Sequence, residues 1–209
     1  HRGVCGIKIF MGASTGDLIT ATDEEVESVV ANGNRVIAVH AEDQMIMNEN
    51  MKTILGDSDD VSMHCKWRSP ESCLSATKRV VAIAEKYSRR VHILHITTAE
   101  EMEFLKTKKH IASVELLTNH LTLFAPDCYE NLGTLAQQNP PIREKHHHDA
   151  LWKALNEGIV DIVASDHAPH TLDEKAQSYP NSPSGTPGVQ TLVPIICLLY
   201  TSPSPRDLL

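Results

Sequence analysis

The sequence predicts an α/β fold, read as a partial TIM (β/α)8 barrel covering roughly strands 4 to 8. Three observations carry that reading. Short apolar runs of strand character alternate with segments of helical periodicity, the signature of βα units on a parallel sheet. Five such units occupy only part of the roughly 250 residues a closed barrel needs. Residues able to bind metal recur at the ends of the runs, where a barrel gathers its chemistry on one face. An open doubly wound sheet is the structural alternative.

The predicted strands are Gly6 to Met11, Arg35 to His40, Arg90 to Ile96, Ile111 to Leu117 and Gly158 to Ser165. The first predicted helix, Thr22 to Asn32, opens with Thr22 and Glu25 three residues apart, a capping-box pattern, and carries apolar residues at Val26, Val29 and Val30. Glu71 to Tyr87 repeats Leu74, Thr77, Val80, Val81 and Ala84 at helical spacing behind a Ser69-Pro70 start. Thr98 to Lys106 and His147 to Asn156 read as two further helices. Tyr179 to Pro187 is a Pro/Ser-rich loop after the last strand.

Composition sets the outer limits. The 209 residues are 41% hydrophobic and 22% charged, as in one ordinary globular domain. A net charge of -8 argues against a general affinity for nucleic acid or anionic membrane. No run of about 18 apolar residues is present to span a bilayer, so a cytoplasmic protein is expected. The five cysteines are scattered and form no CxxC pair, so they read as reduced thiols. Residues 1–199 are expected to form the partial barrel domain. Residues 200–209, YTSPSPRDLL, depart abruptly from the apolar run before them and read as a non-native tail.

Twelve histidines invite a search for metal or proton chemistry, and their positions decide it. Lys8 lies in the first predicted strand, His40 and His95 near the ends of the second and third, and Asp166 just after the last. Each alone has a plain reading: a strand-end histidine is as readily a polar terminus, and a strand lysine an edge or snorkelling residue. Together they form a set of donors suited to Zn²⁺, which can lower the pKa of a bound water to about 7. His146, His147 and His148 read as a solvated run at a helix start, and His92 as pointing away from the site.

The segments GIKIFMG, VIAVHAE, ILHITT, NPPIR and SDHAPHT resemble, in order and spacing, the dihydroorotase branch of the metal-dependent amidohydrolase superfamily. The resemblance implies two Zn²⁺ ions bridged by a carboxylated Lys8. It makes His40 and His95 ligands of one ion, and Asp166 both a ligand and the catalytic acid/base. By the same resemblance Asn139, His170, Pro187 and Gly188 would bind the substrate and His64 would fix the loop before its helix, although Asn139 reads equally as a turn residue before two prolines and His170 as a loop cap; Ser14 and Thr15, in the Gly-flanked GASTG loop, read either as part of a lid or as a plain loop. The implied reaction is reversible hydrolysis of the cyclic amide of dihydroorotate to N-carbamoyl-L-aspartate, in pyrimidine synthesis. A homo-oligomer or association with aspartate transcarbamoylase is the implied partner state.

One departure stands out. The family's HxH pair on its first strand, and the substrate-gripping arginine after it, occur on none of the strand-like segments here, so this chain by itself is expected to be inactive. Allantoinase and dihydropyrimidinase share the lysine, histidines and aspartate and are the alternatives within the superfamily. SDHAPHT leans towards dihydroorotase. A non-catalytic scaffold is the alternative from another class, and it predicts loss of ligands that this sequence retains. A plain α/β binding module would place no ligand-type residues at successive strand ends.

Overall fold

The computed structural model describes residues 3–13 and 19–201. Five parallel strands form one sheet in the order β1 to β5: Gly6–Phe10, Val36–His40, Val91–Ile93, Ala112–Leu117 and Ile162–Ala164. The order follows the chain without reversal. A doubly wound sheet reverses direction at a switch point, so this topology selects the partial barrel over the open-sheet alternative.

The helices are α1 (Asp23–Val30), α2 (Gln44–Asn50), α3 (His64–Trp67), α4 (Pro70–Lys86), α5 (Ala99–Lys106), α6 (Thr118–Thr122), α7 (Asp127–Leu132), α8 (Lys145–Asn156), α9 (Leu172–Lys175) and α10 (Leu192–Thr201). Their starts follow the side chains available. Thr22 caps α1 in a complete capping box with Glu25, as the spacing predicted. Ser69 caps α4 with Pro70 in its first turn, where proline's missing N–H costs nothing. The expected tail falls largely outside the described residues, as do Ser14 and Thr15; α10 itself continues through Thr201.

Strand alternation divides the sheet into two faces. Ile9, Ile37, Val39, Val91, Ile93, Ala112, Val114 and Leu116 turn towards the helices and join the main core with Val26, Val80, Ala84, Leu105 and Leu151. Helix α1 packs on α4, α4 on α5, and α5 on α8, giving the outer layer of a barrel. The opposite face carries Lys8, Ala38, His92 and Ser113 in register across four strands, with Phe10 beside His40 one step further on. That face is open: Val36 and Ile162 on it are 50% and 46% exposed.

All five strands are shorter than their predicted runs, the third and the fifth most of all. In the third, the ladder ends at Ile93 because His95 turns into the left-handed region at φ 38°. The fifth strand starts at Ile162; just before it, Asp161 gives its N–H to the Val114 carbonyl at 2.9 Å while its side chain accepts the Val114 N–H at 2.7 Å.

Candidate metal centre

The site is built where the strands end. His40 is the last residue of β2 and is 1% exposed. His95 follows β3, and the two rings stand edge to face with centroids 4.7 Å apart. His40 Nδ1 lies 3.0 Å from His95 Nε2. Two imidazole nitrogens this close need one hydrogen between them or a cation shared by both. Burial, followed by the nearness of His40 and Lys8, holds the His95 pKa well below the usual imidazole range, which favours the neutral ring with one nitrogen lone pair free to accept. Its Nδ1 is a buried nitrogen with no hydrogen-bond partner.

His95 and Asp166 are two of the three non-glycine residues at positive φ among the described residues, at 38° and 44°. Such backbone is costly for a side-chain-bearing residue and is kept where its surroundings enforce it. Asp166 follows β5 on the open side, where surrounding protein raises its carboxyl above the usual range by desolvation while Lys8 and His40 pull the other way. Lys8 reaches from β1 with its Nζ 4.7 Å from the Phe10 ring centroid. Lys8 is exposed, because the inner face it stands on is uncovered.

These four side chains line one cavity of about 190 Å³ with Phe10, Leu117, Gln138, Asn139, Ala168, Ser184, Gly185 and Thr186. Asn139 is fixed through its Oδ1, which accepts from His64 Nε2 at 3.0 Å. That same nitrogen donates to the Gln138 carbonyl at 3.1 Å, so buried His64 secures the loop at Gln138 and Asn139 and not the loop before its own helix, which the sequence reading assigned to it. Its own pKa is lowered to about 3 by burial and by Arg68.

The other substrate-binding candidates lie off the cavity wall. His170 Nε2 donates to the Ser184 carbonyl at 3.2 Å and so ties down the loop that lines the cavity. Gly188 gives its N–H to His167 Nδ1 at 3.0 Å and packs against Ser165, where an added Cβ would approach within 2.9 Å. Pro187 is exposed. The cavity takes Ser184, Gly185 and Thr186 from this loop instead.

Two features went unread in the sequence. Glu42, fully buried, accepts from His40 Nε2 at 2.8 Å and from Arg68 Nε at 3.1 Å, with a second, shorter contact to Arg68 Nη2. Burial alone would raise its carboxyl; Arg68 and His40 outweigh that and hold it well below the usual range. The second is His147. It was read as solvated, yet it is buried and accepts the Ala99 N–H at 3.1 Å, capping the start of α5, while His146 stays exposed. His92 does avoid the cavity, as expected, pairing with Ser113 at 2.9 Å and Glu115 at 3.2 Å.

As a donor set, the site fits part of a zinc centre. His40 and His95 supply two converging nitrogens, and Lys8 and Asp166 border the same space. No group of three or more His, Cys, Asp or Glu side chains among the described residues converges on one point, so a further donor must complete it. A carbamate on Lys8 would offer oxygens where a bare ammonium offers none.

Comparison with known proteins decides the family. The dihydroorotase of Methanosarcina mazei is 35% identical over 202 residues, covering 90% of this chain and 43% of that protein. The dihydroorotase of Halobacterium salinarum is 33% identical over the same 90%. The chain belongs to the dihydroorotase family. It spans 43% and 44% of the length of these two relatives. No family model matches. Among solved structures, this dihydroorotase-family chain superposes on dihydropyrimidinase from Brevibacillus agri with a TM-score of 0.85 at 24% identity, covering 96% of this chain and 46% of that one. Dihydroorotase from Saccharomyces cerevisiae, solved with 5-fluoroorotic acid, gives 0.70 at 15% identity, with 94% and 54% covered. These likenesses support the barrel fold.

Proposed function

We propose that this chain supplies the Lys8, His40, His95 and Asp166 side of a dihydroorotase active site, hydrolysing the cyclic amide of dihydroorotate to N-carbamoyl-L-aspartate in pyrimidine synthesis. The observation that carries it is the 3.0 Å approach of His40 Nδ1 and His95 Nε2 in a cavity shared with Lys8 and Asp166. His40 and His95 would hold one zinc ion and a carboxylated Lys8 would bridge it to a second, polarising the ring carbonyl and acidifying water.

The chain's own residues do the rest. Asp166 takes a proton from the attacking water and returns it to the leaving amide nitrogen. Asn139, held by His64, offers hydrogen bonds to the substrate at a fixed position. Phe10 and Leu117 give the cavity an apolar wall.

The test is zinc-dependent turnover of dihydroorotate by the longest reading frame containing this chain, alongside Asp166→Ala. We expect turnover in the parent and its loss in a variant whose circular dichroism is unchanged. Turnover of allantoin or a dihydropyrimidine in place of dihydroorotate, or none by folded zinc-loaded protein, would overturn the substrate assignment.

A further inference from the structure

Glu42 lies in neither the ligand set nor the cavity wall, yet it has the most enclosed charged side chain in the neighbourhood, at 0% exposure. A carboxylate there is costly unless its oxygens are satisfied. Both are: Arg68 approaches through Nε and Nη2, and the remaining acceptor capacity goes to His40 Nε2 at 2.8 Å. Arg68 is itself anchored, donating to the Ala13 carbonyl at 2.8 Å, while its own carbonyl accepts from buried Arg143.

The consequence falls on His40. A carboxylate locked to a guanidinium only accepts hydrogen bonds, so His40 must carry its hydrogen on Nε2. Neutral imidazole then has its lone pair on Nδ1, the nitrogen facing His95. Resting on the metal-site reading above, we propose that Glu42, clamped by Arg68, is a positioning residue that fixes the His40 tautomer and aims Nδ1 as a metal donor. Partners of this kind commonly change metal affinity 10- to 100-fold when removed.

The test uses Co²⁺ as the probe, its affinity read by chelator competition and its ligand geometry by visible absorption, in the full chain. Glu42→Gln is expected to bind about 10- to 100-fold more weakly, with an altered spectrum and an unchanged far-ultraviolet dichroism. Glu42→Gln with Arg68→Met removes the stranded guanidinium, so it keeps the fold if the single variant loses it, and is expected to remain weak in binding. Parental affinity in either folded variant overturns the proposal and leaves the metal-site reading standing. If the parent shows no Co²⁺ spectrum sensitive to His40→Ala, the metal-site reading fails and takes this proposal with it. Nitrogen-15 spectra of the unaltered chain report the tautomer directly. Hydrogen on His40 Nε2 is expected, and hydrogen on Nδ1 would overturn the proposal.

Discussion

His40 is held from both sides by groups with opposite demands. Glu42 takes its hydrogen at 2.8 Å, and His95 faces the nitrogen left bare at 3.0 Å. The backbone is fitted closely around this arrangement. Gly12 follows β1 so near to β2 that an added Cβ would meet the Glu42 carbonyl oxygen and the Met47 side chain, each at 2.5 Å. Gly12→Ala is therefore expected to shift Glu42 and to cost about 1–3 kcal/mol through overpacking. Denaturant midpoints measure the stability loss, and Co²⁺ affinity should fall with it. A variant as stable as the parent would mean that the contact relaxes freely.

At the scale of elements, α5 is held at its start by Thr98, which caps the helix and receives the Glu101 N–H at 3.2 Å. The Glu101 carboxyl is buried with Thr77 at 2.7 Å and Thr98 at 2.8 Å as its neutral partners, and desolvation raises its pKa to about 7. The folded chain keeps this proton up to about pH 7, whereas the unfolded chain releases it near 4.5. Between those values the folded state binds more protons, so this group lowers stability as pH rises through the window. The loss amounts to about 3 kcal/mol by pH 8, on the order of 1.4 kcal/mol for each pH unit of the shift. Glu101→Gln is expected to match the parent near pH 4 and to exceed it in melting temperature at pH 8. A variant that loses stability relative to the parent on going from pH 4 to 8 would contradict this.

Over the whole molecule, Arg143 ties the loops of the site face together. It is 3% exposed and donates to the Cys65 carbonyl at 2.9 Å, Thr97 Oγ1 at 3.2 Å, Cys73 Sγ at 3.2 Å and the Arg68 carbonyl. Arg143→Met would leave these acceptors buried without their donor, at a cost of about 3 kcal/mol or more. Chemical denaturation should show that loss, and a cost below about 1 kcal/mol would mean that the loops hold without it.

Much of this architecture was legible in the sequence, and what was not has physical reasons. The strands, and Thr22 with Glu25, were readable because alternation and capping are local patterns. His40, His95 and Asp166 were readable as a set because strand ends in a barrel converge. Arg68 was not, since its partner Glu42 lies 26 residues away and only folded loops join them. His147 was hidden by its neighbours: helical geometry points adjacent residues in different directions, so one of three histidines faces inward. The choice of Ser184, Gly185 and Thr186 over Pro187 and Gly188 depends on a loop path that no periodicity encodes.

The proposed function stands or falls on a metal ion held by His40 and His95 beside Lys8 and Asp166. Anomalous diffraction at the zinc absorption edge, from crystals of the zinc-loaded protein, tests it most directly. A peak is expected within bonding distance of His40 Nδ1 and His95 Nε2, with Lys8 and Asp166 bordering it. Zinc found only at the exposed His146, with none between His40 and His95 in a zinc-saturated crystal, would contradict it.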